Sequence, residues 1–341
     1  MTPKSPDSLL RLAHKMNVVR ERSNFPDPVI AHNAVYAGER DHDLVKFAWE
    51  TLEPEWRVPA EGFEFWESYG NVILLFSFHT GRSRAMRPDG TVVWTLEPKG
   101  RFGWERWREH LYSVDVEGGI ALADPATGQI VGRSALVPRP NEVLSTICED
   151  VALVQDEHGD PFRAYDLRRE KLLWERNLLA DMKAKYNARD DVPFPLIKSS
   201  GPGLFVCRRG KGLYGFTLDD GQLRWGLDVV ARTINTYESR IYVWGATSDV
   251  RADRFLCLDA ATGALIYEVP VKARGPRPGA MSERHIAYAE RSGSLVLFRL
   301  SDGALVWSYQ HKQWLGGPVI AANRLFVGAE DGNLLVFEGD I

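Results

Sequence analysis

Asp302-Gly303-Ala304-Leu305-Val306-Trp307 decides the fold, because the same arrangement returns along the chain. An Asp-Gly turn is followed, four residues after the glycine, by a tryptophan. Asp89-Gly90-Thr-Val-Val-Trp94 and Asp220-Gly221-Gln-Leu-Arg-Trp225 repeat it. Asp124-Pro-Ala-Thr127-Gly128 and Asp259-Ala-Ala-Thr262-Gly263 carry a longer turn and lead to Gly132 and Tyr267 in the aromatic position. Leu52-Glu-Pro-Glu-Trp56 and Arg169-Glu170-Lys-Leu-Leu-Trp174 are degenerate copies. The aromatic position therefore falls at 56, 94, 132, 174, 225, 267 and 307, a period near 40.

Within one period the runs are short and strand-like. Pro318–Ala321, Arg324–Val327 and Leu334–Phe337 follow one another across Asn323 and Gly328–Gly332. Short runs of Val, Leu, Phe and Tyr bounded by Gly, Asn and Asp read as meandering antiparallel strands. Four strands in about 40 residues is the size of a propeller blade. Seven aromatic positions give seven fourth strands, and the C-terminal unit has only three. One period before Trp56 stands Val18, within Met16-Asn-Val-Val19-Arg20. Pairing that strand with Leu334–Phe337 removes two open sheet edges. The reading is an all-β, eight-bladed propeller closed by the N-terminal strand, a single domain over 1–341 with 1–27 as the closing segment. Seven blades with an irregular N-terminus is the alternative.

Composition sets bounds on function. The 341 residues are 44% apolar and 26% charged, enough for a packed core, and the net charge is −4. No global positive field points to nucleic acid. Val72–Phe76, the longest apolar run, cannot span a bilayer, so no membrane insertion is expected. Cys148, Cys207 and Cys257 have neither disulfide nor zinc spacing and read as buried small hydrophobes. The first residues lack an apolar leader core, which makes the cytoplasm the expected location.

The Asp-x-x-Thr-Gly-x-x-x-Trp pattern resembles the repeat of the PQQ-like, or quinoprotein-like, propellers. The resemblance runs from about residue 28 to 338. It implies that Trp56, Trp94, Trp174, Trp225, Tyr267 and Trp307 pack against the neighbouring blade, and Gly132 departs from it. One branch of that family is dehydrogenases that use PQQ and calcium, with an adjacent cysteine pair; this chain has none. The other branch is non-enzymatic scaffolds. The resemblance thus implies a binding role without cofactor, catalytic residue or metal.

Other motifs are weaker. Gly210-Lys-Gly212-Leu-Tyr-Gly215 matches a dinucleotide fingerprint but falls in a hairpin, not between a strand and a helix. Asp41-His42-Asp43 and Glu157-His158-Gly-Asp160 read as solvated turns rather than metal sites. Two departures from the period are more informative. Trp174 and Trp225 are 51 apart, and the excess lies in 178–195, where Leu178, Met182 and Tyr186 have helical spacing. Residues 245–253 form a long loop in blade six. Strand order puts both insertions at one end of the blades, where long loops on a rigid scaffold carry binding. The expected partner-binding residues there are Lys183, Lys185, Tyr186, Arg189, Arg208, Arg209, Lys211, Arg251, Arg254 and Arg274. They suit a protein partner with an acidic surface, as in a bacterial immunity or adaptor protein. A PQQ-dependent oxidoreductase and a small-molecule or glycan binder are the competing readings.

Overall fold

The structure is a computed structural model. It describes residues 9–18, 28–38, 41–77, 79–97, 105–114, 120–134, 142–156, 161–186, 196–199, 203–209, 211–247, 253–271, 279–290 and 292–341. Among these described residues thirty-two strands form eight four-stranded antiparallel sheets. The chain is an eight-bladed β-propeller. Seven blades use four consecutive strands, counted here from inner to outer. Blade eight takes three from Leu315–Ala321, Arg324–Ala329 and Asn333–Gly339, and its fourth from Leu10–Asn17.

Chain contacts divide into two compact units. One comprises 1–97, 125–128 and 273–341, with blades seven, eight, one and two. The other comprises 98–124 and 129–272, with blades three to six. Within each unit the core lies between consecutive blades. Phe205, Phe216, Phe162 and Trp174 fill the space between blades four and five. Val206, Trp225, Val243 and Leu256 do so between five and six. In the other unit Leu297, Leu325 and Phe337 join seven to eight, and Met16, Val18, Val35 and Phe326 join eight to one. Each such side chain contributes about 1.5–3 kcal/mol through burial.

The closing strand is present, but its register differs from the expected one. It is Leu10–Asn17, not 16–20, and runs from Leu10 opposite Gly339 to Asn17 opposite Asn333. Val18 only continues it, donating its N–H to the Gly332 carbonyl. The residue in the aromatic position is His14, opposite Val336. The connection from this strand to blade one, 18–28, is longer than the first interblade step assumed, so counting back one short period from Trp56 stopped at Val18, short of His14.

Every fourth strand has the same irregularity. One residue is skipped in the pairing immediately before the aromatic position: 55, 93, 131, 173, 224, 266, 306 and, in blade eight, Ala13. Such a bulge turns the next side chain to the opposite face of the strand. The inner strands alternate instead. Those of blades two, four, six and eight are Glu64–Tyr69, Glu142–Cys148, Val229–Tyr237 and Leu315–Ala321, each with a register shift. Those of the odd blades are shorter and regular among the described residues.

Candidate functional site

The aromatic positions do structural work. Trp56 Nε1 donates to the Pro88 carbonyl at 2.9 Å and Trp94 to Pro125 at 2.7 Å. Trp174 donates to Leu218 at 2.8 Å and Trp225 to Ala260 at 3.0 Å. Each acceptor lies in the turn before the next blade's fourth strand. Blade eight has no such turn, and Trp307 donates to Leu10 of the closing strand at 2.8 Å. Tyr267 sits opposite Cys257, and burial, then the neighbouring Cys257, pushes its hydroxyl far above the usual tyrosine range. A buried indole with its N–H satisfied favours packing over ligand contact.

Antiparallel order gives every blade two ends. The hairpins between first and second strands share one end; the hairpins between second and third strands share the other with the blade-to-blade connections. In blades three to five the first end is latched. Trp107 Nε1 donates to the Glu149 carbonyl at 3.2 Å, and Asp150 pairs with Arg108 and Arg168. Gly203 N–H then donates to Glu149 Oε1 at 2.8 Å. Sequence reading missed this set, because Glu149-Asp150 looks like any polar turn.

The second end of blades five and six is basic. Arg208, next to last in the second strand of blade five, donates from Nη1 to the Ala231 carbonyl at 2.9 Å. Arg232, the skipped residue in blade six's inner strand, donates from Nε to Asp253 at 2.9 Å. Trp244 Nε1 reaches the same carboxylate oxygen at 3.3 Å. Arg254 pairs with Glu268, and Lys211 is exposed. Among the described residues three carboxylates, Asp228, Asp253 and Glu268, thus stand among Arg208, Arg209, Lys211, Arg232 and Arg254.

Several expected site residues take different roles. Arg208 and Arg209 lie on the strand Leu204–Arg209, not in a loop, and Arg209 is only 3% exposed. The strand simply runs two residues further than the Gly-Lys-Gly turn suggested. The helix expected from spacing exists as Leu178–Tyr186. Asn177 caps it, its side chain accepting from Ala180 N–H. Leu178 and Met182 are buried in the blade four–five core beside Trp174 and Leu223. Lys183 and Lys185 are exposed, and Lys185 donates to the Leu223 carbonyl at 3.3 Å. The helix is therefore packed down by its apolar side, leaving its lysines outward. Arg189, Arg251, Arg274 and the side chain of Tyr186 lie outside the described residues, as do most of the two insertions.

Comparison with known proteins follows this geometry. Residues 251–341 match the family model described as outer membrane protein assembly factor BamB. The resemblance to PQQ-like propellers holds. The crystal structure of BamB from Moraxella catarrhalis superposes with a TM-score of 0.66 at 14% identity, covering 96% of this chain and 99% of that one. The computationally designed Ika8 protein gives 0.70 at 12% identity, covering 95% and 100%. Such distant likeness shows the fold. No curated protein matches the chain. Among the described residues no helix is long and apolar enough to cross a membrane.

Proposed function

We propose that the chain is a non-enzymatic scaffold that captures an acidic protein partner at the second end of blades five and six. The contrast between the two ends carries this reading. The first end of blades three to five spends its charges on itself, through Glu149, Asp150, Arg108 and Arg168. Among the described residues the other end holds more arginine and lysine than carboxylate, with Lys211 exposed. Such a field speeds encounter with an acidic surface and weakens as salt screens it. The words assembly factor, attached to the matching family, agree with a protein-binding role. An immunity or adaptor protein that holds one cognate partner is the specific form we favour.

Affinity capture with mass spectrometry identifies the partner, and stopped-flow then measures association. Lys211→Glu should slow association several-fold at low salt and leave the melting temperature nearly unchanged, since an exposed charge contributes little to stability, whereas Arg208→Glu also loses the hydrogen bond to the Ala231 carbonyl and should lower it. An unchanged rate would remove the basic end from the interface. Addition of PQQ with calcium should give no thermal shift; a saturable shift would favour the oxidoreductase reading.

A further inference from the structure

The inner strand of blade six, Val229–Tyr237, skips Arg232 in its pairing: Ala231 lies opposite Gly245 and Thr233 opposite Trp244. The sheet is built for this bulge. A Cβ on Gly245 would stand 2.6 Å from the Val230 carbonyl oxygen, so only glycine lets the two backbones close here. The inner strands of blades two, four and eight are also interrupted. There Trp66, Ser145 and the pair Gly316-Gly317 fall at the skipped place. Of these four blades, only blade six puts a cation at it.

The guanidinium of Arg232 is held from one side. Its Nε donates to Asp253 at 2.9 Å, and the Asp253 side chain is 2% exposed. Trp244 Nε1 donates to the same oxygen at 3.3 Å, which fixes the carboxylate from a second direction. The Arg232 side chain is 42% exposed. A guanidinium has five N–H groups. One is spent on Asp253, and among the described residues those on Nη1 and Nη2 meet no protein acceptor. That edge is the planar fork that pairs with a carboxylate through two parallel bonds. Arg208 brings a second guanidinium to the same backbone, donating from Nη1 to the Ala231 carbonyl at 2.9 Å and the Arg232 carbonyl at 3.4 Å. Among the described residues no carboxylate pairs with Arg208. Two guanidiniums thus serve one bulge, and Asp253 is the one described carboxylate paired with either.

We propose that Arg232 grips the partner: its Nη1–Nη2 edge takes one carboxylate, an aspartate or glutamate side chain of the acidic protein, in a bidentate pair. This rests on the basic end as the partner's landing place, and adds to it one arginine, one edge and one chemical group. Charge favours a carboxylate. Arg208 and Arg232 against Asp253 leave one positive charge, which a carboxylate balances, whereas a phosphoryl group carries about 1.5–2 negative charges. The brace favours tight holding, because a side chain already ordered by Asp253 gives up less freedom on binding. Lys211, exposed and unbraced, steers the encounter, and Arg232 slows the departure.

The probe is a fluorescein-labelled hexaglutamate, with the melting temperature confirming that each variant is folded. Anisotropy and stopped-flow should show saturable binding at low salt. Arg232→Lys keeps the charge and loses the fork. It should weaken binding at least fivefold, as much as Arg232→Gln does, through faster dissociation. Wild-type affinity in a folded Arg232→Lys variant would overturn the proposal, and the basic end would still stand if Lys211→Glu slows association. Loss in Arg232→Lys with no effect of Lys211→Glu would support the fork and remove the wider field. Phenylglyoxal, which reacts with both Nη atoms of an arginine, tests the wild-type protein directly. Mass spectrometry should find Arg232 modified in the free chain and protected by the peptide, which keeps the test valid should Arg232→Lys misfold. No saturation at millimolar peptide, or equal modification of Arg232 with and without saturating peptide, would each overturn the proposal. Tighter binding of a peptide with three phosphoserines, of about the same charge, would assign the fork to phosphate and overturn it too.

Discussion

Gly263 lies directly beneath the indole of Trp225: a Cβ on it would stand 2.6 Å from Trp225 Cδ2. Its φ is +69°, so the position needs glycine twice, for backbone and for space. Gly90 has the same backbone, but its Cβ would stand 3.5 Å from Trp56, an ordinary contact. Gly90→Ala should therefore cost only the left-handed penalty, about 1 kcal/mol. Gly263→Ala adds overpacking of about 1–3 kcal/mol. Urea denaturation of both variants measures the difference, and equal losses would refute the account of Gly263.

Glu170 occupies the turn-glycine position of blade four at φ +50°. It follows the one blade whose aromatic position is vacant, Gly132. With no indole to accommodate, the turn keeps a side chain and bears the strain. Glu170→Gly should stabilise by about 1 kcal/mol. Gly132→Trp should be tolerated better with Glu170→Gly than without it. A double-mutant cycle with no coupling between 132 and 170 would sever the two positions.

The closing strand anchors its neighbour as well as its own sheet. Deleting residues 1–17 removes the pairing partner of Asn333–Gly339 and the carbonyl that Trp307 Nε1 uses. The deletion should aggregate through the bared edge and shift tryptophan emission to the red. Trp225→Ala, in a buried position, should cost about 3–5 kcal/mol. A monomeric deletion variant with an unchanged melting temperature would contradict the first expectation.

Acid should destabilise the protein in two stages. Burial, reinforced by Arg284, lowers His285 from its ordinary 6.5, so the folded chain binds fewer protons than the unfolded one below that pH. Stability is lost as pH falls through this range. The turn aspartates follow. Asp259 is held below 3.8 by the Thr262 hydroxyl and N–H, Asp220 by Thr217, and Asp89 and Asp302 by the N–H groups of Thr91 and Ala304. Their contribution is present above about 3.8 and lost below it. Urea midpoints from pH 8 to 3 should show both limbs, and His285→Gln should flatten only the upper one.

The repeat was legible because its signal is local. Gly221 and Trp225 stand four residues apart and mark one strand start without any tertiary information. The helix at 178–186 was legible for the same reason, its inward residues falling four apart. The closing strand was less so. It has neither turn nor tryptophan, and His14 gives no sign of filling an aromatic position. The bulge before each tryptophan is invisible in sequence, since an unpaired residue needs no special side chain. Arg209 misled because arginine beside a Gly-Lys-Gly turn suggests solvent, whereas strand alternation turns it inward. Glu149 matters only through Trp107 and Gly203, which are distant in sequence.

The pairing of Leu10–Asn17 with Asn333–Gly339 also has a mechanical meaning. The two strands are antiparallel, and Leu10 and Gly339 lie opposite each other at one end. Tension applied between those two residues pulls along the hydrogen bonds rather than across them. The bonds then carry load one pair at a time, from Leu10 toward Asn17, like a zipper. Leu10 is also the residue that holds Trp307, so the first step of such an opening would release the neighbouring blade's indole. The blade can thus yield to a small directed force, with tryptophan fluorescence reporting the moment it does.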